Sequence, residues 1–287
     1  MNYALDALWQ HLHHPRTRTL AALLTAPPPW RSGREIPVSL LLGSHGFRLL
    51  EQWDRQPESQ PQALQNADEQ QALGRYAESL LAAWFAHAPH SRLIAANHPV
   101  SLPNSRQQSG AFDFIVELDG RLCHIELCCK YYGGSGQPES MVGLNPQDKL
   151  TDKAAKILAQ SELSATASGS GSLKALGIAE PAIDRYTLIR GNLFTPDGTL
   201  PTHPLYQPQS WCGLLNPDIS ALPQPPQTRL HRLPRSEYPA PARIDSSLND
   251  WHGTPERNGL YAAMQQQTDG SWHENFRFML TNQSDKH

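Results

Sequence analysis

Cysteine is scarce in this chain, and most of its cysteines are clustered. Three of the four, Cys123, Cys128 and Cys129, lie within seven residues inside an apolar run, and the fourth is Cys212. A disulfide framework is typical of small secreted chains whose cysteines are spread along the sequence. The cysteines therefore predict reduced thiols and a cytoplasmic location.

Long apolar runs and an excess of charge of one sign are also missing. No apolar stretch approaches the roughly 20 residues of a membrane-spanning helix, and the first residues show no basic stretch followed by an apolar core. The 24 basic and 27 acidic residues give a net charge of −3, which excludes a basic field over the whole molecule. We expect a soluble protein without a membrane partner, in which any site for a polyanion is local.

Helical patterns dominate the first part of the chain. Apolar residues recur at helical spacing from Leu5 to Leu12, and a second short helix is predicted from Thr19 to Ala26. A stronger amphipathic pattern, ALGRYAESLLAAWFAHA, predicts a helix from Ala72 to Ala88.

Strand patterns follow. Two β-rich runs between Phe112 and Tyr132 flank an Asp-Gly pair, which is a strong hairpin signal. Further strands are predicted at Arg185 to Arg190, Leu260 to Gln266 and Trp272 to Leu280, and proline-rich stretches precede the last two. Between these regions, Asn145-Pro146-Gln147-Asp148 is predicted to open a helix, and residues 164–172 to form a flexible Ser/Gly/Ala-rich segment.

These patterns predict an α/β protein with a mixed sheet flanked by helices. Residues 1–70 are expected to form an N-terminal helical extension, and residues 71–195 the core. Residues 196–287 are expected to contribute β-rich, proline-rich strands and loops that complete the same domain.

The hairpin register predicts which side chains share a face. A two-residue turn at Asp119 and Gly120 pairs Leu118 with Arg121 and brings Asp113 opposite Glu126. One face is then apolar and is expected to pack on the core: Phe112, Phe114, Val116, Leu118, Cys123, Ile125, Leu127 and Cys129.

The other face brings two acids together. The Cβ atoms of Asp113 and Glu126 are expected about 4.5–5.5 Å apart, where like charges destabilise a sheet unless a cation lies between them. Mg²⁺ or Mn²⁺ suits a site with oxygen ligands only. Lys130 lies on the same face, roughly 13 Å further along the strand, with a side chain long enough to reach back. Acid, acid, lysine and metal together favour phosphodiester hydrolysis.

Two alternatives stay open for this pair. The two acids are also compatible with an arginine placed between them, without any metal. A longer loop would shift the register by one residue and move Glu126 to the other face.

Three stretches resemble a known family: GRYAESLLAAWF, GAFDFIVELDGRLCHIELCCKYY and GLNPQDKLTDKAAKIL, which span residues 73–158. They are similar to a bacterial domain-of-unknown-function family assigned to the PD-(D/E)XK nuclease-like superfamily. The resemblance implies a restriction-endonuclease-like mixed sheet and a metal-dependent nuclease. By the same resemblance Glu78 is a helix glutamate near the metal, and Asp113 and Glu126 are the metal-binding acids. The usual lysine position is Cys128 here, so Lys130 is the expected substitute.

Other residues are weaker candidates. Lys149, Lys153 and Lys156 share one arc of the helix that is predicted to begin at Asn145. They are candidates for phosphate binding, with a solvated helix face as the alternative. His124 is a candidate neighbour of the acids and the substrate, or a packed strand histidine. Glu78 has the alternative of a surface glutamate.

Four arginines make the last third of the chain locally basic: Arg229, Arg232, Arg235 and Arg243. They are candidates for contacting a nucleic-acid backbone, with ordinary surface charge as the alternative.

The sequence thus predicts a nuclease that uses Mg²⁺ or Mn²⁺ to cleave DNA or RNA. The alternative is a catalytically inactive protein of the same fold that binds nucleic acid or a protein partner.

Overall fold

The computed structural model describes residues 11–102, 107–178, 182–222, 228–245, 255 and 257–281. Seven α-helices lie in this part of the chain: α1 (Pro15–Thr25), α2 (Val38–Leu42), α3 (Gly46–Arg55), α4 (Gln62–Gln65), α5 (Leu73–His87), α6 (Leu150–Ser161) and α7 (Ala167–Ala175). None of the helices in the described ranges is both long and apolar enough to cross a membrane.

The strands form a single mixed sheet. They are β1 (Ser91–Ser101), β2 (Gln108–Leu118), β3 (Arg121–Gly133), β4 (Asp184–Thr195), β5 (Cys212–Leu215), β6 (Thr228–Arg232), β7 (Arg243–Ile244), β8 (Gly259–Gln266) and β9 (Trp272–Leu280). Their order is β1-β2-β3-β4-β5-β9-β8-β6, and β7 pairs with β9. The first three strands are antiparallel, β3, β4, β5 and β9 are parallel, and β8 and β6 continue antiparallel. The predicted α/β class with a mixed sheet flanked by helices is confirmed.

Several predicted elements are confirmed with small shifts. Helix α1 begins at Pro15, four residues before the predicted start, because proline fits the first helical position. Helix α5 matches its prediction to within one residue at each end. The helix predicted from Leu5 to Leu12 falls almost entirely outside the described residues.

The hairpin turn has the conformation that its sequence predicts. Asp119 and Gly120 both have positive φ, 46° and 76°, as a two-residue hairpin turn of the favoured type requires. The observed pairs run from Leu118 with Arg121 to Phe114 with Ile125, which is the predicted register.

Helix α5 covers one face of this hairpin. Its Phe85 packs edge-on against Phe114 with ring centroids 5.3 Å apart. Trp84 belongs to the same apolar core and donates its indole N–H to the carbonyl of Leu41 in α2. Helix α6 lies against β3 and β4 with an apolar core of its own, which includes Cys128 and Ile157. The site-bearing hairpin is therefore enclosed between helices on both faces.

Phe112 lies on a different face from the predicted one. Its ring contacts His124 at a centroid distance of 4.8 Å, and it belongs to a separate apolar cluster with Ile115. The β2–β3 ladder ends at Phe114, and at the next residue the Asp113 side chain bonds to β3. The regular alternation of side chains therefore stops between Phe114 and Phe112.

Two further predictions were wrong. Helix α6 begins at Leu150 rather than at Asn145, because Gly143 N–H bonds to the Asp148 carbonyl and Leu150 N–H bonds to the Met141 carbonyl. These bonds fold residues 143–148 into a loop. Helix α7 begins within the segment predicted to be flexible, and its first turn is capped by the Thr166 hydroxyl, which accepts from Gly169 N–H.

Candidate active site

The two acids of the hairpin meet where β2 leaves β3. Asp113 Oδ2 accepts a hydrogen bond from Leu127 N–H at 2.8 Å, in the place where a backbone carbonyl would continue the ladder. Glu126 Oε1 lies 3.4 Å from the backbone nitrogen of Asp113, which donates to it. The carboxylates therefore lie side by side, as the predicted register requires, although the backbone pairing ends one pair earlier.

Burial makes this pair electrostatically costly. The Glu126 side chain is fully buried, and Asp113 is half-buried. Burial, reinforced by the Glu126 carboxylate, raises the pKa of Asp113 to about 7. Burial also raises the pKa of Glu126 to about 7. At neutral pH the pair thus holds on to a proton that exposed carboxyls would lose.

Glu78 joins the acids from helix α5. Burial and then the Asp113 charge raise its pKa, which a hydrogen bond from the Asn97 side chain partly offsets. Asn97 has a positive φ of 49° in β1 and lies opposite Asp113, between the Ala96–Phe114 and His98–Phe112 pairs. The sequence-predicted acids Glu78, Asp113 and Glu126 are thus brought into one electrostatic group.

The donor set of this group fits a hard divalent cation. Glu126 Oε2 is buried, and within the described chain no hydrogen-bond donor reaches it. No cluster of three or more His, Cys, Asp or Glu side chains in the described ranges has the arrangement of a complete metal site. Mg²⁺ is usually held by one or two carboxylates, with water and substrate phosphates as its other ligands. Asp113 and Glu126 match that incomplete protein shell.

His124 lies behind Glu126 and faces away from solvent. Its Nε2 is 2.7 Å from Glu126 Oε1, and its Nδ1 is 3.1 Å from the Ser164 hydroxyl. Burial lowers the pKa of His124 to about 4, so its ring is neutral near pH 7. A neutral imidazole that donates from Nε2 accepts from Ser164 at Nδ1. This chain of bonds fixes the orientation of the Glu126 carboxylate.

The lysines occupy different positions around the acids. Lys130 Nζ forms an ion pair with Asp148 Oδ2 at 2.5 Å, and Tyr132 donates its hydroxyl to the other oxygen of Asp148. The Lys153 ammonium makes no hydrogen bond or ion pair with the described residues, and its charge lowers the pKa values of both Asp113 and Glu126. Lys153 is therefore the cation that acts directly on the acid pair.

An open cleft of about 380 Å³ lies beside this group. We call it the acid cleft, and its lining includes Glu78, Lys130, Asp148, Lys153, Arg235 and Tyr238. Leu127 and Cys128, which follow Glu126 along β3, line it as well. The acid cleft thus runs along the part of β3 that β2 leaves unpaired. Among the predicted site residues, Glu78, Lys130 and Lys153 line the cleft, whereas Asp113, Glu126, Lys149 and His124 lie outside its lining.

Three residues of this site were missed from the sequence. Asp148 was assigned to a helix start, Ser164 to a flexible segment, and Arg235 was one of four equivalent arginines. Their roles arise from tertiary contacts that span 18 residues for Asp148 and Lys130 and 40 residues for Ser164 and His124. The sequence contained one local signal for these contacts: Lys130 lies two residues beyond Cys128, which occupies the usual lysine position.

Comparison with protein families gives one match. Residues 10–281 match a family described as a domain of unknown function, DUF1853. The chain belongs to the DUF1853 family. No curated protein and no solved structure matches it. In this DUF1853 chain all residues of the acid cleft lie within the matched region. Membership of this family carries no activity with it.

Proposed function

We propose that this DUF1853 chain is a divalent-metal-dependent phosphodiester hydrolase that acts on nucleic acid, with a restriction-endonuclease-like core. Helix α5, the acid-bearing hairpin, helix α6 and the parallel strand β4 support that core. The observation that carries the proposal is the adjacent Asp113 and Glu126 pair, with a buried Glu126 oxygen that has no donor among the described residues, beside a cleft whose lining includes Lys130, Lys153 and Arg235.

The proposed roles follow from where each side chain lies. Asp113 and Glu126 would hold Mg²⁺ or Mn²⁺, and Glu78 would assist from helix α5. The cation supplies charge stabilisation to a bound phosphate and lowers the pKa of a water molecule. Lys153 would bind a non-bridging phosphate oxygen, since it lines the cleft and its charge lowers the pKa values of both acids.

The proposed role of Lys130 depends on whether its ammonium leaves Asp148. Its ammonium is engaged by Asp148, so it reaches a phosphate only by exchanging that partner. Lys149, at the exposed start of helix α6, would contact the nucleic-acid backbone further from the acids. His124 would act on the substrate indirectly, through the orientation of Glu126.

A catalytically inactive nucleic-acid-binding or protein-binding chain is the second candidate. The observations that favour it are the Lys130–Asp148 ion pair and the burial of Cys128 at the usual lysine position. Both leave the acid pair without the lysine that the superfamily resemblance implies.

An activity assay on matched variants separates the two candidates. Plasmid, linear duplex and single-stranded DNA and RNA would be incubated with Mn²⁺, Mg²⁺ or chelator. The proteins are the wild type, Asp113→Asn, Glu126→Gln and, as control, Glu117→Gln, which changes a half-buried acid of the same hairpin that pairs with Arg92. We expect metal-dependent cleavage by the wild type and control, and a loss of at least ~10²-fold in the two site variants.

Metal binding gives the second readout. Mn²⁺ titrations should show a site in the wild type and the Glu117→Gln control that is lost in Glu126→Gln. Binding without cleavage of any substrate would favour the inactive candidate. The absence of both binding and cleavage would rule out the metal-dependent hydrolase.

A further inference from the structure

Arg235 is the one C-terminal arginine that lines the acid cleft. It lies in a single 3₁₀ turn, Arg235–Glu237, and is exposed. Its guanidinium forms no hydrogen bond or ion pair with the described residues. The cleft therefore has an unengaged cation on the side formed by the C-terminal part of the chain.

The other three arginines of this region are engaged elsewhere. The Arg229 guanidinium lies 4.8 Å from the ring centroid of Trp272. Arg243 bonds to the Asp245 carboxylate at 3.1 Å, and Arg232 donates to the Asn258 carbonyl at 3.5 Å. The four arginines are thus not an equivalent basic patch, and Arg235 is set apart by its position.

The turn that carries Arg235 is anchored to the site. Tyr238 packs edge-on against Tyr131 of β3, with ring centroids 5.2 Å apart. Glu237 pairs with His231 at 3.1 Å, which ties the turn to β6. Tyr131 and Tyr238 belong to one apolar cluster, whereas Cys128 and Tyr132 belong to the cluster under helix α6. Arg235 and Lys153 consequently approach the cleft from opposite faces of the sheet.

We propose that Arg235 binds a backbone phosphate of the nucleic-acid strand that neighbours the phosphate at Asp113 and Glu126. This rests on the proposed function, and it makes the C-terminal part of the chain a component of the substrate site. A guanidinium presents a rigid fork of donors that matches two phosphate oxygens, and it remains charged at every working pH. A second phosphate contact, held away from the acids, would fix the direction in which the strand crosses β3.

The salt dependence of binding tests this contact. Fluorescent single-stranded and duplex oligonucleotides would be titrated with the Glu126→Gln protein, in which turnover is expected to be lost, and with the wild type in chelator. Each phosphate contact contributes about 0.7 to the slope of log K against log salt for a single strand and about 0.9 for a duplex. Arg235→Ala is expected to reduce the magnitude of this slope by about 0.7 if the protein binds the single strand and by about 0.9 if it binds the duplex.

Arg48→Ala is the matched control. Arg48 is an exposed arginine on helix α3 that lies outside the cleft lining and makes no ion pair with the described residues. Its removal should leave the slope unchanged. If Arg235→Ala and Arg48→Ala both match the parent slope, the Arg235 contact is refuted while the proposed function stands. If the parent binds neither oligonucleotide, the proposed function fails and the contact fails with it.

Discussion

His124 and Glu126 lie on the same face of β3 and are joined by a hydrogen bond of 2.7 Å between Nε2 and Oε1. Both side chains are fully buried. The imidazole satisfies one carboxylate oxygen and leaves Oε2 without a donor among the described residues. The bond therefore sets which oxygen of Glu126 remains available to a ligand, and His124 is a positioning residue.

Breaking this bond should weaken metal binding. His124→Phe removes both ring nitrogens and their contacts with Glu126 and Ser164, whereas His124→Gln can keep a donor near Glu126. Loss of a group that orients a metal ligand typically costs 10–100-fold in affinity or activity. We expect a loss in this range for His124→Phe in Mn²⁺ titrations, and a smaller one for His124→Gln.

Thermal unfolding controls that comparison, since His124 is part of the interior. Ser164→Ala disturbs only the outer bond and gives a milder test of the same chain. A well-folded His124→Phe protein with wild-type Mn²⁺ affinity would contradict the positioning role.

Neutralising Glu126 should stabilise the protein in the absence of metal. The folded-state pKa of Glu126 is raised to about 7, so its contribution to stability is largest at low pH and is lost as the pH rises towards 7. Glu126→Gln removes this loss. Its free energy of unfolding should equal the wild-type value near pH 4.5 and exceed it by about 1–3 kcal/mol at pH 8.

Denaturant unfolding at a series of pH values measures this difference. Comparing the two proteins is essential because His124, whose pKa is lowered, contributes a slope of the opposite sign between about pH 4 and 6.5. Glu117→Gln again serves as the control, because it removes an acid of the same hairpin whose ion pair with Arg92 lies near the surface. A Glu126→Gln protein that is less stable than the wild type at pH 8 would show that ionisation of Glu126 does not destabilise the folded protein.

The sequence predicted the parts of the site that depend on local geometry. An Asp-Gly turn and strand alternation are enough to place Asp113 beside Glu126, because hairpin register is set by the turn. They fail at Phe112, where the Asp113 side chain replaces the backbone in the ladder. The alternation of side chains along a strand does not predict that a carboxylate will replace a backbone carbonyl as a hydrogen-bond acceptor.

Local sequence patterns also failed to predict which lysines and arginines lie at the cleft. Helical spacing grouped Lys149, Lys153 and Lys156 as one stripe, but only Lys153 lines the cleft. Lys149 precedes the helix because residues 143–148 form a loop stabilised by long-range backbone bonds. The position of Arg235 depends on the packing of Tyr238 on Tyr131, which are far apart in the sequence.

Gly191 allows close contact between the two central strands. It pairs with Lys130, has a positive φ of 137°, and a Cβ there would lie 1.6 Å from the Lys130 carbonyl oxygen. Gly191→Ala should therefore destabilise the protein by about 3 kcal/mol or more in denaturant unfolding. Gly120→Asn is the comparison, because a Cβ at Gly120 meets no atom within 4 Å. It should cost only about 1 kcal/mol, and equal losses in the two variants would contradict the steric argument.

The last prediction concerns which lysine serves the acid pair. The Lys153 ammonium forms no hydrogen bond or ion pair with the described residues and lowers the pKa values of Asp113 and Glu126, whereas Lys130 is held by Asp148. We therefore expect Lys153→Ala to lower kcat by ~10²-fold or more with a small change in stability. Lys130→Ala should lower it less, and Lys156→Ala, on the exposed part of the same helix, should leave it unchanged. Single-turnover cleavage with saturating protein measures the chemical step directly. A larger loss in Lys130→Ala than in Lys153→Ala would mean that Lys130 exchanges Asp148 for the substrate and takes the role assigned to Lys153.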